Sequence, residues 1–246
     1  MGARGWALVT GSARRLGQAL AVRAAEAGYD VVVHARSGDV SETINLVQGR
    51  GAEAVALHAD LADPEACARL VSGAPGPLTL LVNCASVFAD DRLENLDAAG
   101  LDAAFATNVR APILLSQAFA ARLPAEREGL IVNMLDQRVL RPDPRFFSYT
   151  VSRAALWMAT QTMAQALAPR IRVNAIGPGP TLASVHQSEA DFAAEARGTL
   201  LARPVGAQEI VLALGYLIEA QAVTGQMIAV DSGQHLGWRT PDVIGE

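Results

Sequence analysis

Apolar residues in this chain gather into short, nearly unbroken runs rich in valine, leucine and isoleucine, and between the runs they thin to the spacing of a helix face. The runs cover residues 6–9, 30–35, 54–58, 78–83, 129–134, 170–175 and 226–231. A run that is apolar at successive positions, not alternate ones, predicts a strand covered on both faces. Helices are predicted over residues 17–27 and 40–50, stopped by Gly28 and Gly51, then after Pro64, and over 101–123, 149–168 and 207–219. Strand and helix alternate, which predicts an α/β fold: a single doubly wound, seven-stranded parallel sheet with helices on both faces, Rossmann-like. Residues 177–204 break the rhythm, being rich in Gly, Pro, Ser and Ala and only weakly helical near their end, and are expected to form a substrate lid. No repeat or linker divides the chain, so one domain is expected over residues 1–246, with a C-terminal tail at 234–246.

Composition narrows the class. A chain of 246 residues can bury roughly three quarters of its unfolded surface without staples. Its two cysteines, Cys67 and Cys84, lie in different segments and give neither a disulfide framework nor a metal cluster, so no metal is expected. A net charge of −5 with no basic run argues against nucleic acid, and no apolar stretch reaches the ~20 residues that span a bilayer. With no positively charged leader, a soluble cytoplasmic protein is expected. All 20 basic residues are arginine.

The chemistry gathers where the strands end, since ligands of open α/β sheets bind at that edge. The stretch Gly11-Ser12-Ala13-Arg14-Arg15-Leu16-Gly17 follows the first strand and opens a helix, an arrangement whose free N–H groups and helix dipole receive phosphate. Two arginines at a helix start are unfavourable there by themselves and point to an anionic ligand. The second strand ends in His34-Ala35-Arg36-Ser37, offering a cation where a site for unphosphorylated ribose would offer an acid, which favours a 2′-phosphate; an exposed arginine without a ligand fits the same residues. Asp60-Leu61 follows the third strand, where an aspartate also serves as a common helix cap. Tyr149 and Arg153 lie four apart on one helix face, and a cation that near lowers a phenol's pKa by ~1–3 units; an amphipathic tyrosine beside a solvated arginine has the same spacing.

Taken together, Thr10-Gly11, Asp60, Asn83-Cys84-Ala85-Ser86, Asn108, Tyr149 with a basic residue four later, and Pro178-Gly179 resemble the short-chain dehydrogenase/reductase family over nearly the whole chain. Within it the chain is most similar to the pteridine reductases and bacterial dihydromonapterin/dihydrofolate reductases. The likeness rests on Arg15 in place of a glycine, His34 to Ser37, Asn83 to Phe88, and Asp136 in place of the usual serine. The resemblance implies NADPH as cofactor, held by Gly11, Arg14, Arg15, Leu16 and Gly17, by His34, Arg36, Ser37, Asp60 and Leu61, and by Asn83, Ala85 and Ser86. Tyr149, Arg153, Pro178, Gly179 and Thr181 would complete that set. It implies Tyr149 as proton donor, Asn108 as holder of a water relay, and Asp136 assisting protonation of a ring nitrogen. Phe88 would sandwich a pterin against the nicotinamide, with Ser86, Asp136 and Tyr149 also meeting substrate; ordinary core filler is the alternative for Phe88. Cys84 and Arg153 stand where the family has asparagine and lysine; arginine keeps the charge but, with a pKa above ~12, passes no proton. A homotetramer is implied, with the tail reaching a neighbour's pocket, in keeping with apolar surface on the two long helices. Two other readings stand beside dihydropterin reduction: reduction of a small ketone or 3-oxoacyl group, and a nucleotide-binding scaffold or sensor whose catalysis has lapsed at Arg153.

Overall fold

Seven runs of apolar residues form the seven strands of one parallel sheet in the computed structural model, which describes residues 4–181 and 187–238. They are β1 (Trp6–Val9), β2 (Asp30–Ala35), β3 (Ala54–His58), β4 (Leu78–Asn83), β5 (Gly129–Met134), β6 (Ile171–Pro178) and β7 (Met227–Val230), in the spatial order β3-β2-β1-β4-β5-β6-β7. The order reverses between β1 and β4, which opens a crevice at their carboxyl ends.

Every residue of β1, β4 and β5 is buried because helices cover both faces. One face carries α1 (Arg15–Glu26), α2 (Ser41–Gln48) and α8 (Ala207–Glu219), and its core joins Leu20, Val31, Val33, Leu80 and Leu214. The opposite face carries α3 (Pro64–Ser72), α5 (Ala111–Arg122) and α6 (Phe147–Leu167), packed on Leu8, Leu81 and Ile131. Pro64 occupies the first turn of α3 and Asp63 accepts the Glu65 N–H at 2.9 Å, so this helix starts where its cap and proline dictate.

Three departures from the pattern exceed a residue or two at an element's end. The stretch expected as one helix over residues 101–123 is α4 (Ala98–Phe105), a π-helical turn (Ala106–Arg110) and α5. Pro112, in the first turn of α5, has no N–H to return to the Asn108 carbonyl, which accounts for a break at this point. Strand β6 runs past Ala175 to Pro178 because β7 pairs with its end. A helix, α7 (Glu189–Arg197), lies within the expected lid, started by Ser188 and carrying acids in its first turn; residues 182–186 of that lid lie outside the described residues, as do 239–246 of the tail. Among the described residues no helix is long and apolar enough to cross a membrane.

Candidate active site

The crevice at the β1–β4 switch is a cleft of about 860 Å³. At one end it is built from backbone. A Cβ on Gly17 would lie 2.2 Å from the Gly11 carbonyl oxygen, and one on Gly11 would lie 2.9 Å from Ala85 Cα, so only glycine lets α1 sit this close to the turn and the turn to β4. The first turn of α1 carries no acid and the side chain of its Arg14 N-cap makes no capping hydrogen bond, and a helix start of this kind suits an anion. Arg14, Arg15, Leu16 and Gly17 all line it, the two arginines exposed and Arg15 in the left-handed region at φ +54°.

His34 joins three strand ends beneath this turn. Its Nδ1 accepts the Gly11 N–H at 3.2 Å, and its Nε2 faces the Ala59 carbonyl at 3.1 Å. Burial lowers its pKa, and the two bonds suit the neutral ring with the proton on Nε2. Arg36 and Ser37 stand exposed on the rim, with Asp60 and Leu61 on the adjacent wall. Asp60 also accepts the Ala62 N–H at 2.9 Å, the turn-capping bond that its position allowed. Asp39 lines the same rim, an acid not foreseen near Arg36; Ser41 holds its carboxylate through both N–H and hydroxyl, which keeps it below the usual carboxylate range.

Thr10 accepts the N–H groups of Cys84 at 2.9 Å and Ala85 at 3.0 Å, turning the chain after β4 so that Ala85, Ser86 and Phe88 reach the cleft. Asn83 and Asn108 do not line it. Asn83 Nδ2 donates to Asn133 Oδ1 at 2.8 Å, and Asn133 Nδ2 donates to Thr160 Oγ1 at 2.9 Å, forming a buried ladder from β4 through β5 to α6. The Asn108 side chain accepts from Val87 N at 2.8 Å and donates to Val87 O at 2.9 Å and Ser152 Oγ at 3.0 Å, clamping the strand-four loop to α6.

The far end of the cleft carries buried charge. Tyr149 donates its hydroxyl to Asp136 Oδ2 at 3.1 Å, while Asp136 Oδ1 accepts the Arg138 N–H at 2.8 Å. Arg153 is 3% exposed, lies 5.0 Å from the Tyr149 ring centroid, and has a buried Nε without a partner. The expected lowering of the phenol by this cation is overturned: burial and the Asp136 carboxylate outweigh Arg153 and push Tyr149 up to about 12. Burial also raises Asp136, against the pull of Arg138. Pro178, Gly179 and Thr181 close this end, where a Cβ on Gly179 would lie 2.6 Å from Asp231 Cα and Thr181 donates to the Gly179 carbonyl at 3.0 Å.

Phe88 sits beside this pair, half-buried and edge-on to Tyr149 with centroids 4.7 Å apart, so it lines the cleft and is not a core residue. A second ring, Phe146, stacks on it at 4.4 Å and 24°, with the Arg138 guanidinium 5.3 Å from the Phe146 centroid. Neither Phe146 nor Arg138 was foreseen; the available signals were the Phe146-Phe147 doublet before the tyrosine helix and an arginine two residues after Asp136.

Residues 5–193 match the short chain dehydrogenase family. A crystal structure of the alternative dihydrofolate reductase FolM from Brucella canis, complexed with NADP, superposes with a TM-score of 0.93 at 44% identity, covering 99% of both chains. A short-chain type dehydrogenase/reductase of Picea abies is 31% identical over 93% of this chain and 91% of its own length. The 3-oxoacyl-[acyl-carrier-protein] reductase FabG of Staphylococcus aureus is 29% identical, over 94% of this chain and 98% of its own.

Proposed function

Because the chain belongs to the short-chain dehydrogenase family, we propose that it is an NADPH-dependent reductase of a dihydropterin, of the dihydromonapterin or dihydrofolate type. The observation that carries this reading is the partly buried Asp136–Tyr149 pair, bonded at 3.1 Å, beside the Phe88 ring. A flat heteroaromatic ring stacks on phenylalanine, and a carboxyl group gives a proton to a ring imine more readily than a serine hydroxyl does.

NADPH supplies the hydride when bound, and the cleft fits it. The tight approach of Gly17 to Gly11, the α1 N-terminus with no capping side chain, and the buried, partnerless Arg153 Nε each suit a part of a dinucleotide. The wall residues Leu16, His34, Ser37, Asp60, Leu61, Ala85 and Thr181 would enclose it, while Asn83 supports the wall from beneath. Arg36, with Arg15 on the same rim, would hold the 2′-phosphate. Tyr149 keeps its proton at neutral pH and is assigned its delivery; Asp136, raised by burial, is assigned the ring nitrogen. With the Asn108 side chain bonded to Val87 and Ser152, a water-holding role there falls to its backbone carbonyl, which Pro112 leaves without its α-helical donor. Arg153 would orient ribose hydroxyls and hold its charge under the phenol without passing a proton.

The reading extends to one reductase domain in the cytoplasm, where unpaired Cys67 and Cys84 are at home, and to a homotetramer joined through exposed Ile113, Val151 and Met158 on α5 and α6. Light scattering that finds a monomer at micromolar concentration would sink the tetramer. NADPH oxidation measured in parallel with a dihydropterin, a 3-oxoacyl thioester and no substrate tests the reaction. Turnover confined to the dihydropterin is expected. Turnover of the thioester alone would transfer the reading to the carbonyl reductases of the family, and cofactor binding without any turnover would leave a scaffold.

A further inference from the structure

Arg138 is held unlike Arg145 and Arg203, which are paired on the surface. Arg145 grips Asp143 through Nε and Nη2, at 3.0 Å and 2.6 Å, and Arg203 meets both oxygens of Glu209 at 2.9 Å and 2.7 Å. Arg138 instead reaches one oxygen of Asp136 at 3.5 Å, leaves its buried Nε without a partner, and spreads its guanidinium by the Phe146 ring. Phe146 is in the left-handed region at φ +53°, a strained conformation for a non-glycine residue that persists where surrounding contacts require it. That backbone sets the ring on Phe88 and makes Phe146, three residues before Tyr149, the N-cap of α6.

We propose that Arg138 is the positioning residue that sets two parts of the substrate site at once, steering the Asp136 carboxyl toward Tyr149 and, through Phe146, fixing the Phe88 ring against which a flat substrate stacks. The proposal rests on the reading of Asp136 and Phe88 as substrate contacts. Neither Arg138 nor Phe146 lines the cleft, so both act through the residues that do. Among the described residues, the charged and titratable groups facing Asp136 are Arg138 from the turn at Gln137–Val139 and Tyr149 and Arg153 from α6, while Gly177 of β6 lies against the Asp136 backbone. The C-terminal turn Gln234–Leu236 packs on the far side of Gln137–Val139 and carries His235, itself bonded to Asp231 at 2.6 Å. Arg138 opposes the burial that raises Asp136, and arginine, unlike lysine, stacks flat on an aromatic face.

The two tasks separate by substitution. Steady-state kinetics with NADPH and a dihydropterin across pH would be compared for the natural protein, Arg138→Lys, Arg138→Met and Phe146→Leu. Arg138→Lys keeps the pH profile and raises KM by about three- to tenfold, because the charge stays and the stacked plane is lost. Phe146→Leu does the same. Arg138→Met raises KM and moves the limb set by Asp136 to higher pH by about one unit. A KM unchanged in Phe146→Leu, or a profile that moves equally in the lysine and methionine variants, would overturn the proposal. If the natural protein turns over no dihydropterin, the functional reading fails, and the infrared carboxyl band of Asp136, assigned by its loss in Asp136→Asn, decides instead. A band persisting to higher pH in Arg138→Met than in the natural and lysine proteins supports the positioning role, and identical titrations refute it. Should Arg138→Met not fold, Arg138→Lys and Phe146→Leu still decide through KM.

Discussion

Both ends of the cleft use arginine, in opposite surroundings. At the rim, Arg14, Arg15 and Arg36 are exposed, where water screens each charge and a neighbouring acid or base changes little. At the floor, Arg153 is 3% exposed, and its charge acts on Tyr149, Asp136 and Cys84 against the burial that raises all three. An anion arriving at the rim therefore adds energy there as a charge-assisted hydrogen bond formed against little prior desolvation. The floor carries its desolvation cost in the folded protein, several kcal/mol for an ion in a dry site, and is tuned by burial at least as much as by charge. Substitutions at the floor should accordingly alter rates, and those at the rim should alter binding and the choice of cofactor.

The largest effect is expected from Arg153→Met. It removes the buried charge under Tyr149 and the donors assigned to ribose, so single-turnover NADPH oxidation should fall by about a hundredfold or more. Arg153→Lys should keep activity, since the charge remains and a lysine can in addition release a proton. A natural protein silent from acid to alkaline pH, with turnover only in the lysine variant, would mean that catalysis has lapsed at this position. Next in size is Asp136→Ser, which should lower dihydropterin turnover by about tenfold or more while sparing a simple ketone, because only the ring nitrogen needs the carboxyl. If the serine variant improves both activities, the floor contributes no acid chemistry. At the rim, Arg36→Asp should weaken NADPH binding by about 1–3 kcal/mol and leave NADH nearly unaffected, as titration calorimetry would read directly. Equal losses for the two cofactors would show that Arg36 meets a group common to both.

The rim was far more legible in the sequence than the floor, for physical reasons. Buried parallel strands leave a local mark, unbroken β-branched and leucine runs, so β2 at Asp30–Ala35 and β4 at Leu78–Asn83 have the bounds their composition predicts. The glycine turn and the arginines that follow it are also local. The floor is made by residues distant in sequence, and there spacing alone misleads. The four-residue spacing of Tyr149 and Arg153 predicts a lowered phenol, but burial and Asp136, thirteen residues earlier, reverse the sign. Asn83 and Asn108 carry the family's residue types, yet their side chains are turned away from the cleft into buried bonds. Pro112 was a readable signal for the break in the long helix. Phe146 was not, since its role depends on a left-handed backbone that no periodicity announces.

The ladder beneath the floor offers the finest division between support and chemistry. Thr160 Oγ1 accepts from Asn133 Nδ2 at 2.9 Å and donates to the Leu156 carbonyl at 2.8 Å, all of it fully buried. Thr160→Val keeps the shape and removes the acceptor, leaving the Asn133 amide unpartnered at a cost of about 1–3 kcal/mol, or a Tm lower by about 2–4 °C per kcal/mol. Because neither group titrates, this loss should be the same at every pH and kcat should stay unchanged. Asp136 behaves oppositely. Its pKa is raised in the folded protein, so the stability it contributes is present below the ordinary carboxylate range and is lost as pH rises through its folded-state titration. Asp136→Asn should abolish that fall, so that its Tm gains on the natural protein as pH increases while the Thr160→Val curve runs parallel below it. Thermal unfolding of the three proteins from acid to neutral pH makes the comparison. Parallel curves for natural and Asp136→Asn proteins would mean that the floor carboxyl lies in water after all, and that the contrast between rim and floor is one of position only.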